Sequence, residues 1–260
     1  MTEPTPNKLS TGHGLTWIAQ SFSIFGKGAS IWIVMLLIFI AINFVITMVP
    51  FLQFLLTVLA PVFTVGFYIG CRAVLKSEML QIDHLFYGFK LQGRMLIRLG
   101  LFFMLWNIAI YLIIMLFLQM TMTEEQVRLM SQAQTQEQMA RLLTESPAMI
   151  GVFINAIIVA GIMTIPLLMA SWFSPALVAF NNIAPLKAMS LSLKACNRNI
   201  LPFLVYGLVM LPLTVLASIP LGLGLLMILP VIIISQYVSY KSVFPNQEQQ
   251  DDEPQSIITL

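Results

Sequence analysis

Six apolar runs, near 29 to 49, 51 to 71, 99 to 119, 149 to 172, 200 to 219 and 221 to 239, alternate with short segments in which polar and charged residues collect. Each run has about the 20 residues an α-helix needs to cross a hydrocarbon core. None contains Asp, Glu, Lys, Arg or His. Between the runs the pattern changes to helical spacing with two distinct faces. Leu15, Ile18, Phe22 and Phe25 recur every three or four positions, with Gln20, Ser23 and Lys27 away from them. Leu186, Met189, Leu193 and Cys196 oppose Lys187, Lys194 and Arg198, and Leu85, Phe86, Phe89 and Met95 accompany Lys90, Arg94 and Arg98. Helices of this kind lie flat at the lipid boundary.

These elements predict an all-α fold: a polytopic six-helix transmembrane bundle with interfacial amphipathic helices. A polar leader over 1–14 precedes a single integral membrane domain over 15–244. An insert over 120–147 separates spans three and four, and a tail over 245–260 is expected to be disordered in the cytoplasm, with Asp251, Asp252 and Glu253 after a Gln-rich stretch. The leader contains Glu3, Pro4 and Pro6 and no short apolar segment with a cleavage site, so a removable signal is not expected.

The basic residues fix an orientation. With six crossings, Lys8, Lys27, Arg72, Lys76, Lys90, Arg94, Arg98, Lys187, Lys194, Arg198 and Lys241 share one face, and only Arg128 and Arg141 lie opposite. Basic residues are retained in the cytoplasm during insertion, which places both termini inside and 120–147 outside. The charge-free stretch from Ser146 to Pro185 is long enough for one generous helix or two cramped ones. Two would cut the split to seven against six, so one helix through Pro166 and Pro175, leaving at Asn181 and Asn182, is expected. Composition agrees: 58% hydrophobic and 9% charged residues fit no soluble domain. A net charge of +2 gives no reason to invoke nucleic acid.

An internal repeat underlies the pattern. A shift of 169 positions aligns Ala19, Ser21 and Ser23 with Ala188, Ser190 and Ser192, Pro61 with Pro230, and Tyr68 with Tyr237. Each copy reads as a surface segment and two spans joined by almost no loop, around Pro50 or Pro220. Leu85 to Arg98 and spans three and four form the middle copy, with Pro175 the counterpart of Pro61 and Pro230.

Catalytic chemistry finds little support. Glu78, Asp83 and His84 are close in sequence, and His13 stands alone. No phosphate loop, nucleophile elbow or metal-ligand spacing occurs, so no catalytic, cofactor or metal residues are assigned and no cofactor is expected. Lys90, Arg94, Arg98, Lys187, Lys194 and Arg198 are the candidate contacts for anionic headgroups. Asn43, Gly66, Gly70, Asn107 and Asn155 are candidate helix-packing residues. Cys71 and Cys196 read as small packing residues on a reducing face, without a disulfide. In the insert, Thr123 followed by Glu124, Glu125 and Gln126 predicts a capping box, and Val127, Met130, Ala133, Ala140 and Leu143 form a weak stripe for a membrane or periplasmic partner.

Gly70 to Val74, His84 to Lys90, Trp172 to Val178, Ala188 to Cys196 and Asn199 to Gly207 resemble an uncharacterised family of proteobacterial inner-membrane proteins with six predicted spans. The resemblance covers roughly 14 to 244. A more distant likeness is to the membrane domain of some glycerophosphodiester phosphodiesterases, whose catalytic domain this chain lacks. The family implies a bacterial inner-membrane location and a multi-span helical fold, with no established activity to carry over. The expected function is a non-enzymatic module binding membrane lipids or a partner. The alternative is a permease or export component, with spans bent at Pro61, Pro166, Pro175, Pro212 and Pro230 lining a path.

Overall fold

A computed structural model describes residues 4–49, 52–132, 135, 137–138, 142 and 146–245. Among them the regular structure is helical. α1 (His13–Gly26) is followed by α2 (Ala29–Thr47) and α3 (Gln53–Leu75). A 3-10 turn over Ile82–Phe86 leads into α4 (Tyr87–Thr121), and α5 (Glu124–Gln132) follows. α6 (Pro147–Asn181), α7 (Pro185–Arg198), α8 (Ile200–Ser218) and α9 (Leu225–Val243) complete the chain. Among the described residues, six helices are long and apolar enough to cross a membrane: α2, α3, α4, α6, α8 and α9.

The stretch from Ser146 to Pro185 forms one 35-residue helix running through both prolines. At about 52 Å it outreaches a hydrocarbon core of about 30 Å. Its exit follows the sequence: Asn181 is the last helical residue, and Asn182 takes a left-handed conformation at φ 54° that asparagine tolerates better than most residues. The expected surface helix over Leu85 to Arg98 differs. Its first part is the 3-10 turn, and Gln92 leaves helical geometry at φ −146°, ψ 37°, breaking the surface segment from the span beyond it. The Gln92 amide donates to Asn182 Oδ1 at 3.1 Å, which helps hold the break in place.

The chain forms two compact units, Met1–Phe103 with Met169–Leu260, and Met104–Leu168. In the smaller unit the Trp106 indole N–H donates to the Met163 carbonyl at 3.3 Å, joining α4 to α6, and Met149, Ala156 and Leu167 are buried. In the larger unit α3 and α9 are the inner spans. Their most apolar stretches are 56% buried, against 17% for α2 and α8, most of whose leucines and isoleucines are left uncovered. The inner spans meet through Tyr68 and Tyr237, with rings 5.7 Å apart, and through the Tyr68 hydroxyl, which donates to Gln236 at 2.8 Å.

The segments read as repeats pack against one another in a regular order. α1, the surface helix of the first copy, packs on α8 and α9, the spans of the third. The surface turn of the second copy packs on α2 and α3, the spans of the first. α7, the surface helix of the third, is bound to α6 in the second: Ser192 Oγ donates to the Met169 carbonyl and accepts the Phe173 N–H at 3.0 Å. The first two surface elements therefore each sit on both spans of another copy, and the third is held to one span, α6.

The register of the repeat differs from the sequence alignment in its surface helices. α1 buries Gly14, Trp17, Ile18, Ser21, Ile24 and Phe25, and α7 buries Pro185, Ala188, Met189, Leu191, Ser192, Ala195 and Cys196. Apart from Leu191 those sets superpose at a shift of 171, pairing Ser21 with Ser192, whereas 169 holds for the inner spans. The expected apolar faces are corrected with it: Leu15 is 53% exposed and Leu186 61%, while Trp17 and Ser21 are fully buried. Contact with another helix favours a small residue at the closest approach, and hydropathy does not register that preference. A Cβ on Gly14 would collide with the Pro202 carbonyl, and Ser21 donates to the Trp17 carbonyl at 2.6 Å with the Ser235 hydroxyl 3.0 Å away.

Candidate functional site

The ends of the bundle that carry the basic residues are tied by polar contacts. Tyr240 donates to Asn181 Oδ1 at 2.8 Å, joining α9 to α6, and the Arg72 guanidinium of α3 lies 5.8 Å from the Phe180 ring centre of α6. Asn199, almost wholly buried between α7 and α8, secures the leader. Its Oδ1 accepts the Leu9 N–H at 2.8 Å, and its Nδ2 donates to the Asn7 and Ala195 carbonyls at 2.9 and 3.0 Å. The Asn7 N–H in turn donates to the Val243 carbonyl at 2.8 Å.

On this framework all six candidate headgroup contacts, Lys90, Arg94, Arg98, Lys187, Lys194 and Arg198, are exposed. In α7 the buried and basic faces separate cleanly, so burial of Ala188, Met189, Ser192 and Ala195 fixes where Lys187 and Lys194 stand. The Lys90 ammonium lies 4.9 Å from the Tyr87 ring centre, a cation–π contact that leaves its outer side open.

A second group of basic residues was not assigned a binding role by the sequence. Between the C-terminal ends of α1, α3 and α9 lies a cleft of about 370 Å³, lined by the polar side chains of Gln20, Ser23, Lys27, Lys241 and Ser242. Ile24, Leu75 and Val238 form its apolar part. Its members come from three distant parts of the chain, with Lys27 and Lys241 more than 200 positions apart, so spacing does not reveal it. The signal available was the joint occurrence of a lysine just past α1 and a lysine in the last turn of the final span.

The candidate packing residues divide. A Cβ on Gly66 would strike the Leu85 carbonyl, and one on Gly70 would meet Leu80 and Trp32 side chains at 2.8 and 2.9 Å. Gly88 and Gly100, not singled out in the sequence, touch α3 just as closely, at the Val62 and Val58 carbonyls. Asn43 donates to the Phe39 carbonyl of its own helix at 2.7 Å. Asn107 and Asn155 are exposed on α4 and α6.

Of Glu78, Asp83 and His84, the histidine has a local structural contact. His84 Nδ1 accepts the Gln81 N–H at 3.2 Å, closing the start of the 3-10 turn. Cys71 and Cys196 are free and buried. Burial pushes the Cys196 thiol up to about 12, against the opposing effect of its Ser192 hydrogen bond. In the insert the capping box is present: the Thr123 N–H donates to Gln126 Oε1 at 2.9 Å and Thr123 Oγ1 accepts the Gln126 N–H at 3.3 Å. α5 buries none of its residues, and Val127 is exposed. Ala133, Ala140 and Leu143 of the expected stripe, and the tail beyond Pro245, lie outside the described residues.

These features define an integral membrane protein of the all-α polytopic class. The chain is similar to a probable inner membrane protein of Burkholderia thailandensis, at 25% identity over 93% of this chain and 94% of that protein. The likeness supports a multi-pass inner-membrane protein and carries no link to glycerophosphodiester phosphodiesterases. No protein-family model matches the chain. No solved structure matches it.

Proposed function

We propose that the protein is a non-enzymatic lipid-binding module of the inner membrane, its basic surface elements seated among the headgroups of the cytoplasmic leaflet. The observation that carries this reading is α7, which buries one face through Ser192 and Cys196 and presents Lys187, Lys194 and Arg198 on the other. A helix so fixed holds its cations at one depth, and attraction to anionic headgroups adds to binding for each cation near the surface. The first turns of α4 likewise leave Lys90, Arg94 and Arg98 exposed.

The test is gentle purification from the native membrane with mass spectrometry of every lipid and protein retained. The variant K187Q/K194Q/R198Q should keep its fold and retain at least about twofold less anionic lipid. Equal retention would leave these residues with topology as their role. Reporter fusions at 132 and 245 test the orientation, with the cytoplasmic signal expected only from the latter. A reproducible protein partner lost on deletion of 124–132 would move the reading from lipid to partner binding, since α5 buries none of its residues.

A permease reading draws on Pro61 and Pro230, which break backbone hydrogen bonding within the two inner spans. Substrate-dependent flux in vesicles of the purified protein would favour it.

A further inference from the structure

We propose that the cleft at the C-terminal ends of α1, α3 and α9 binds a phosphate-bearing anion, either the headgroup of an anionic phospholipid or a free phosphorylated solute. The proposal deepens the lipid-binding reading and rests on it only for the source of the phosphate. Lys27 and Lys241 supply two ammonium groups, and Gln20, Ser23 and Ser242 supply neutral donors around the same space. An ammonium is a compact donor suited to phosphate, and hydroxyl and amide groups complete the shell of an oxygen-rich anion. Among the described residues, no carboxylate lines the cleft.

The lysines alone would not make the argument, because a helix C-terminus attracts a cation in its own right. Lys27 stands just past the end of α1 and Lys241 in the last turn of α9. Gln20 and Ser23 have no such reason to be there. The surface helix of the third copy offers the comparison: at the structural register, Gln20 corresponds to Leu191, which is buried at 6% exposure. The same place is thus filled by a leucine in one copy and opened by a polar side chain in the other. The apolar part of the cleft also has a use. Leu75 is half-exposed beside it, while Ile24 and Val238 form a buried floor, so a headgroup among the lysines leaves room for the glycerol end of a lipid against leucine.

The experiment uses the full chain in neutral phosphatidylcholine nanodiscs, titrated with dihexanoyl phosphatidylglycerol, dihexanoyl phosphatidylcholine and inorganic phosphate, with native mass spectrometry as the readout. A saturable site at least about tenfold tighter for phosphatidylglycerol than for phosphatidylcholine is expected, lost in K27Q/K241Q and largely restored in K27R/K241R. If inorganic phosphate occupies the same site with equal affinity and is lost in the same variant, the source is a free phosphorylated solute. If only the lipid binds, it is a headgroup. Unchanged binding in K27Q/K241Q, or no saturable binding of either anion to the native chain, overturns the proposal. Should the lysine pair not fold, Gln20→Leu decides: loss of the site supports the cleft, and full retention refutes it. Loss of lipid only in K187Q/K194Q/R198Q would uphold headgroup collection by α7 and sink the cleft. The reverse would uphold the cleft and sink that role for α7.

Discussion

α1 and α7 are each 14 residues long, bury faces of the same spacing, and pack on spans of another copy, yet they present different chemistry. α7 turns Lys187, Lys194 and Arg198 outward as an open row. α1 carries a single lysine at its end and places it, with Gln20 and Ser23, against the ends of two other helices. The buried faces are what the repeat requires, because the small residues at Gly14, Ser21, Ser192 and Ala195 set how closely helices approach. The flanks are free to diverge. An open row suits many headgroups held weakly, and a three-helix cleft suits one anion held in a defined place.

The largest effect expected from breaking this pair is at Gly14. A leucine there must displace the Pro202 carbonyl and the Tyr206 backbone N–H, so Gly14→Leu should lower monodisperse protein recovered on gel filtration by about tenfold or more. Next is Asn199, whose side chain serves three backbone groups that alanine would leave unpaired. Asn199→Ala should destabilise by about 2 to 4 kcal/mol and make the leader accessible to protease before the rest of the chain. Between the two surface helices, Ser192→Ala should cost more than Ser21→Ala, by about 1 kcal/mol in denaturant unfolding, because Ser192 serves two backbone groups of α6. Equal effects would mean that the two joints are energetically alike.

A subtler contrast is chemical. With its thiol pushed up to about 12, Cys196 carries roughly one thiolate in ten thousand at pH 8. Raising the pH towards 12 increases that fraction, so native protein should resist maleimide at pH 8 and react only when alkali or unfolding exposes the sulfur. A cysteine substituted for Lys27 should react within minutes, as an exposed cleft residue would. The smallest effect is expected from Gln20→Leu, which copies α7 into α1. Its melting temperature should stay within about 2 °C of the native value while anionic lipid binding at the cleft is lost.

The spans were legible because apolar length is a local property, and the single helix from Pro147 to Asn181 followed from charge-counting across it. The Thr123 capping box and the Asn181–Asn182 exit were equally local. The rotated faces of α1 and α7 were not, since Ser21 and Gly14 carry no hydropathy that marks them as buried. Nor was Asn199, which the chain must bring to Asn7 and Leu9 across some 190 positions. The cleft escaped for the same reason: helical spacing assigns Lys27 to a polar face and cannot say which distant helix ends close around it.

The order of packing also sets a timetable for synthesis. α1 leaves the ribosome well before the helices it packs on, α8 and α9, with the Ser21–Ser235 contact spanning 214 positions. At a translation rate of about 5 to 20 residues per second, Trp17 and Ser21 wait on the order of 10 to 40 seconds for their partners. Through that interval α1 has only its lesser contacts with α2 and α3, and the face that α8 and α9 will cover is left to the membrane surface. A nascent chain halted before residue 225 should therefore hold α1 in a state that protease reaches, and completing the last span should protect it.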